Sequence, residues 1–300
     1  MSALVPKGWL GDIFQSVSPT PTTSVDARDG RNQVERVATM LEVIDKGSAT
    51  AAHPVPLLFV HGSWHAAWCW EEKFLGFFAD KGYRAVALSL RNHGNSYKKN
   101  PRTSSIADLV DDVASIANSL PAEPVVVGHS MGGFVVQKYL ETHSAPAGVL
   151  LASMPVSGAS RALVRIMGRH PLRAARASLR GKSLGALNTP QAVRENFYSA
   201  STPEADIVRY TALLDEECSG RQSLEMTMFG LPKPQRVTTP LLVLGAELDA
   251  CFSQDEIRKT ARAYGTDAVF FPDMGHNMML EPGWQAVAEG IDGWLAGRGL

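Results

Sequence analysis

Residues 124 to 134 read Pro-Val-Val-Val-Gly-His-Ser-Met-Gly-Gly-Phe, and this stretch constrains the chain more than any other. A short β-branched run leads into Gly-x-Ser-x-Gly, and a helix-compatible run, Phe134 to Thr142, follows. That order predicts a strand, a sharp turn and a helix, with Ser130 at the turn. A residue held on such a turn needs neighbours without bulk two positions away, which Gly128 and Gly132 supply. The serine oxygen would then stand above the carboxyl end of a sheet. The first amide of the next helix would point at whatever that oxygen attacks.

The surrounding pattern supplies the sheet. Val55 to Val60, Tyr83 to Leu90 and Ala147 to Ala152 are short apolar runs that read as buried strands. Helical spacing separates them over Trp70–Lys81 and Ser104–Leu120. In the second helix Ile106, Leu109, Val113, Ile116 and Leu120 share one face, and Asp108, Asp111 and Asp112 take the other. Val34 to Asp45 alternates loosely and suggests one or two further strands. Strands alternating with helices predict an α/β fold around a mostly parallel sheet. The alternation lapses from about 156 to 236, where only helical segments are predicted: Ser160–Arg180, Pro190–Tyr198, Pro203–Cys218 and Gln222–Phe229. It resumes with strands at Pro240–Leu244 and Ala268–Phe271 and helices at Ser253–Tyr264 and Trp284–Leu295. The expected organisation is an irregular arm over 1–33, a core over 34–155 and 237–300, and a helical cap over 156–236.

Composition removes several functions. With 29 Lys and Arg against 30 Asp and Glu, formal net charge is −1, so nothing attracts nucleic acid or an anionic membrane. Cys69, Cys218 and Cys251 are scattered and odd in number, which speaks against a disulfide framework or a structural zinc site. Reduced thiols, no apolar run of membrane-spanning length and no signal-peptide layout near the start give a cytoplasmic expectation. His61 and His65 have a metal-like spacing but fall on a loop without a third ligand.

Ser130, Asp249 and His276 each follow a predicted strand, so they would share the carboxyl edge of the sheet. A serine hydroxyl needs a base such as His276, and that imidazole needs a buried carboxylate to hold its tautomer. Asp249 follows its strand directly; Glu247 and Asp255 are the alternatives. His61 and His129 are read as structural hydrogen-bonders beside the site, and His93 as a turn residue.

With these motifs in the order Ser, Asp, His, the chain resembles the α/β-hydrolase superfamily over about 55–155 and 237–296. The segment His61-Gly62-Ser63-Trp64-His65-Ala66-Ala67-Trp68-Cys69-Trp70 is similar to the plant methyl esterase and hydroxynitrile lyase branch and its bacterial relatives. The resemblance implies the α/β-hydrolase fold and an oxyanion hole made by the backbone amides of Ser63 and Met131, with Trp64 the alternative second donor. It implies a carboxylesterase that uses no cofactor and no metal and acts on a small or medium apolar ester. Trp64, Trp68, Met154, Met226, Phe229, Asn277 and Met278 are the expected pocket. The cap arginines are read as a solvated face or as contacts to an acidic substrate. Lyases of the resembling branch carry lysine and threonine where this chain has Asn277 and Gly62, which favours hydrolysis. C–C bond hydrolysis, lactone hydrolysis, cofactor-free dioxygenation and ligand binding without turnover are the competing readings of the same scaffold.

Overall fold

A computed structural model describes residues 40–300 except 101, 170, 173–174, 176–184, 186, 188 and 218–219. The expected arm over 1–33, the start of the first core segment, Arg173, Arg176, Arg180 and Cys218 lie outside the described residues.

Among the described residues seven strands form one sheet: β1 (Val43–Lys46), β2 (Leu57–Val60), β3 (Ala85–Leu88), β4 (Val125–His129), β5 (Gly148–Leu151), β6 (Leu241–Ala246) and β7 (Ala268–Phe271). Their spatial order is β1-β3-β2-β4-β5-β6-β7. Only β1 runs antiparallel, against β3. All residues of β2 to β6 are buried, as expected for parallel strands covered by helices. β4 sits in the middle, paired Val60↔Gly128 with β2 and His129↔Leu151 with β5. The residues just past β2, β4, β6 and β7 therefore meet at one edge.

Between β2 and β3 lie α1 (Trp68–Glu71) and α2 (Phe74–Asp80). The spacing predicts one helix here, but Lys73 at φ −145° interrupts it. Next comes α3 (Ile106–Ser119), opened by a capping box in which the Ser105 side chain accepts the Asp108 amide and Asp108 accepts the Ser105 amide. Asp112 departs from the expected polar face of this helix. It is buried, and its carboxylate takes the Arg91 guanidinium at 2.5 and 2.8 Å and the Arg91 amide at 2.9 Å. The ion pair explains how a charge sits inside the apolar face.

α4 (Met131–Tyr139) leaves the turn after β4. Between β5 and β6 the described elements are helical: α5 (Ser160–Arg169), α6 (Pro190–Phe197), α7 (Glu204–Ala212), α8 (Arg221–Leu224) and a π-helical turn over Glu225–Phe229. α6 begins at Pro190 with the Thr189 side chain accepting the Ala192 amide, a sequence-readable start. After β6 come α9 (Gln254–Ala263) and, beyond β7, α10 (Trp284–Ala296). Among the described residues no helix is long and apolar enough to cross a membrane.

Candidate active site

Ser130 stands between β4 and α4 at φ 52°, ψ −118°. That is costly for a side chain with a Cβ, and the surrounding backbone enforces it. The Ser130 carbonyl accepts the Phe134 amide at 3.2 Å and the Met154 amide at 2.9 Å, and its own amide donates to Leu151 at 3.2 Å. The glycines are a matter of room. A Cβ on Gly128 would lie 2.5 Å from the Gly132 carbonyl oxygen, and one on Gly132 would collide with the carbonyls of Val60 and His61. Gly62 is equally tight, since a Cβ there would sit 2.8 Å from the Ser130 Cβ.

Asp249 and His276 arrive from the loops after β6 and β7. The His276 Nδ1 lies 2.9 Å from Asp249 Oδ2, and its Nε2 lies 2.9 Å from Ser130 Oγ. A carboxylate only accepts, so Nδ1 carries the hydrogen and Nε2 is left to accept from the serine. The other oxygen of Asp249 accepts the amides of Cys251 and Phe252 at 2.7 and 3.0 Å, which fixes the carboxylate. Glu247 and Asp255, the alternatives, are exposed, and Asp255 pairs with Lys259.

The loop after β2 approaches Ser130 from the other side. Among the described residues the amides of Ser63 and Met131 donate to no protein acceptor. The Trp64 amide is already committed, donating to Glu217 Oε2 at 3.2 Å. Of the two loop amides weighed as donor to a bound oxygen, the Ser63 amide is thus the one left available.

Four further histidines crowd this edge in fixed roles. His61 lies with Nδ1 2.8 Å from the Gly62 carbonyl, and its Nε2 accepts the Leu90 amide at 3.0 Å. His65 donates from Nδ1 to the Ser63 carbonyl at 2.8 Å and accepts Asn277 Nδ2 at 3.1 Å. His129 donates from Nε2 to the His276 carbonyl at 3.0 Å. Burial pushes His61 and His129 well below the ordinary imidazole range and His65 down to about 4. All three are neutral. His93 is buried like the others, but Glu217 and Asp215 beside it outweigh the burial and hold it above its usual value. The His61–His65 pair keeps no lone pair for a metal. Asp249, Cys251 and His276 bring a carboxylate, a thiol and an imidazole within 4.8 Å of one another. Their hydrogen bonds to each other's loop and to Ser130 already occupy the carboxylate and the imidazole.

A cavity of about 130 Å³ opens onto Ser130 and His276, with a mainly apolar wall. Trp64, Met154, Met226 and Asn277, expected there, line it. Trp68, Phe229 and Met278 do not. Trp68 stacks behind the wall between His65 and Tyr210, Met278 is packed in the core, and Phe229 is 76% exposed at the end of the π-turn. The wall instead uses residues that the sequence left unmarked: Leu163 and Ile166 of α5, Phe197 of α6, Glu217 and Phe252. Leu163 and Ile166 are three apart on one helical face, a weak signal that was present. Glu217 had none.

Among the described residues of α5, Arg161 is exposed, as expected of a solvated face, whereas Arg165 and Arg169 reach back to the loop after β6. Arg165 donates to the Cys251 carbonyl at 2.5 Å and pairs with the buried Glu256, and Arg169 donates to the Ala250 carbonyl at 2.9 Å. Both grip the loop that carries Asp249.

The family described as "Alpha/beta hydrolase family" matches residues 57–289, most of the chain and all of the site loops. The chain belongs to the alpha/beta hydrolase family. Among curated proteins it is similar to protein phosphatase methylesterase 1 of Homo sapiens, 32% identical over 95 residues, covering 30% of this chain and 25% of that protein. It is also similar to a rice (Oryza sativa) protein named "Probable esterase PIR7A", 36% identical over 109 residues, covering 34% of this chain and 40% of that one. The chain thus spans only a quarter to two fifths of these relatives. Among solved structures, a thermophilic esterase from Thermogutta terrifontis superposes with a TM-score of 0.67 at 21% identity, covering 87% of this chain and 94% of that one. That likeness shows the fold.

Proposed function

We propose that this hydrolase-family chain is a serine esterase that cleaves small, apolar carboxylic esters through an acyl-enzyme on Ser130. The observation that carries the reading is the unbroken chain Asp249–His276–Ser130, two 2.9 Å contacts ending under a small apolar cavity. His276 Nε2 takes the serine proton as Oγ attacks the acyl carbon, and Asp249 steadies the imidazolium that forms. The tetrahedral oxyanion sits between the amides of Ser63 and Met131. Each such donor is worth roughly 2.7–4 kcal/mol of barrier. His276 then returns the proton to the leaving alcohol, and water repeats the sequence to free the acid.

The wall selects the substrate. Met154, Met226, Phe197 and Phe252 favour a short apolar acyl group, and the Glu217 carboxylate disfavours an anionic one. The named functions of the methylesterase and esterase relatives support ester cleavage as the reaction. A panel of p-nitrophenyl esters from acetate to laurate tests this. Turnover is expected to peak at short chains and to fall by at least about 10³-fold in Ser130→Ala. Turnover that survives Ser130→Ala overturns the proposal.

A further inference from the structure

The oxyanion loop is held by the helical insert as well as by the sheet. Trp64 takes φ 62°, a left-handed conformation that a bulky side chain adopts only under constraint. Both of its backbone groups are tied to the insert. The Asp215 amide donates to the Trp64 carbonyl at 2.8 Å, and the Trp64 amide donates to Glu217 Oε2 at 3.2 Å. The Ser63–Trp64 peptide is therefore pinned at two points, its carbonyl by His65 and its N–H by Glu217. The preceding peptide is pinned as well, because the Gly62 carbonyl accepts the His65 amide at 3.3 Å. Ser63 lies between two peptide planes that cannot rotate, and its amide direction follows from them.

Glu217 is itself braced. His93 Nε2 stands 3.4 Å from its carboxylate, close but not aligned as a hydrogen bond, and the other nitrogen of His93 meets the Arg91 carbonyl at 3.1 Å. Asp215 Oδ2 accepts the Gly94 amide at 2.6 Å, so the same insert segment is fastened to the loop after β3. Glu217 has 8% of its surface exposed, which leaves the carboxylate little freedom to leave its partners.

We propose that Glu217, braced by His93, is a positioning residue that locks the Trp64 peptide and so aims the Ser63 amide at the oxyanion. The proposal rests on the esterase reading of the site. Glu217 is not a proton carrier here; it acts through the loop.

Three measurements on the full chain test it, with Glu217→Ala and Glu217→Gln against wild type. In Glu217→Ala, kcat for a p-nitrophenyl ester is expected to fall roughly 10–100-fold, less than the ~10²–10³ for deleting an oxyanion donor outright, with KM within about threefold. Affinity for a trifluoromethyl ketone, whose hemiketal carries the oxyanion, should fall by the same factor as kcat. The matching methyl ketone, bound without that charge, should be unaffected. Glu217→Gln keeps an oxygen for the Trp64 amide and should recover most of the loss. The third measurement is amide hydrogen exchange over residues 62–66, which needs no turnover. It should quicken in Glu217→Ala and return in Glu217→Gln. Unchanged exchange, or a kcat loss that Gln does not rescue and that only tracks a lower Tm, overturns the positioning role. A wild type that cleaves no ester yet shows the exchange pattern sinks the esterase reading and leaves the positioning of the loop standing.

Discussion

Among the described residues five buried histidines share the carboxyl edge, and only His276 directs a ring nitrogen at Ser130. Each of the other four has at least one ring nitrogen bonded to backbone, which separates one base from four struts. The struts have a measurable consequence. His65 is neutral in the folded chain down to about 4, whereas unfolded it takes a proton near its ordinary value of about 6.5. The unfolded chain therefore binds more protons between those values, and stability falls as pH drops from about 6.5 to 4. A shift of this size corresponds to roughly 3 kcal/mol. His61 and His129 act in the same sense, and the raised His93 acts in the opposite one. Urea denaturation at pH 7 and pH 4.5 should show a large acid loss in wild type and a smaller one in His65→Gln. An identical loss in both would contradict the neutral, buried role of His65. At this scale Ser130, Asp249 and His276 were legible because each follows a strand. Glu217 was not, because the acidic run Asp215-Glu216-Glu217 looks like surface until the fold brings Trp64 beside it.

The strand β4, the turn and α4 form one device in which the glycines are as specified as the serine. A Cβ on Gly132 would meet the main-chain carbonyls of Val60 and His61, and β2 cannot yield without disturbing its pairing with β4. Gly132→Ala is expected to cost about 1–3 kcal/mol and to displace Ser130. A lowered Tm with loss of ester turnover is the predicted result, and an active variant of wild-type Tm would contradict it. The elements most readable in the sequence were those whose own residues decide them: the buried runs of β2 to β6, the apolar face of α3, and the helices α6 and α7 that follow a threonine and a proline. Where distant contacts decide, local pattern misleads. The spacing predicts a helix over Pro203–Cys218, but α7 ends at Ala212 and Asp215 turns its amide to Trp64. The predicted helix over Gln222–Phe229 widens into a π-turn after Leu224 and leaves Phe229 outside the cavity.

Across the molecule, the helical insert holds the loops after β2, β6 and β7, whereas the Ser130 turn is held by the core. Asp215 and Glu217 hold the loop after β2, Arg165 and Arg169 the loop after β6. The Phe197 carbonyl accepts the Asn277 amide at 2.9 Å, and the buried Glu281 accepts the amides of Ser199 and Gly275, which secures the loop after β7. The insert therefore ties down the loops that carry Asp249, His276 and Ser63, in addition to walling the cavity. Apart from Glu281 to Gly275, these ties join residues far apart in sequence, which is why the fold was readable while only Trp64, Met154, Met226 and Asn277 of the expected pocket line the cavity. The central claim is that Ser130, activated by His276, is the group that becomes acylated. Intact mass and peptide mapping after treatment with a fluorophosphonate test it most directly. A single adduct on Ser130, absent in Ser130→Ala and formed far more slowly in His276→Ala, is the result the geometry predicts. An adduct on another residue, or an unlabelled protein that still hydrolyses esters, would contradict it.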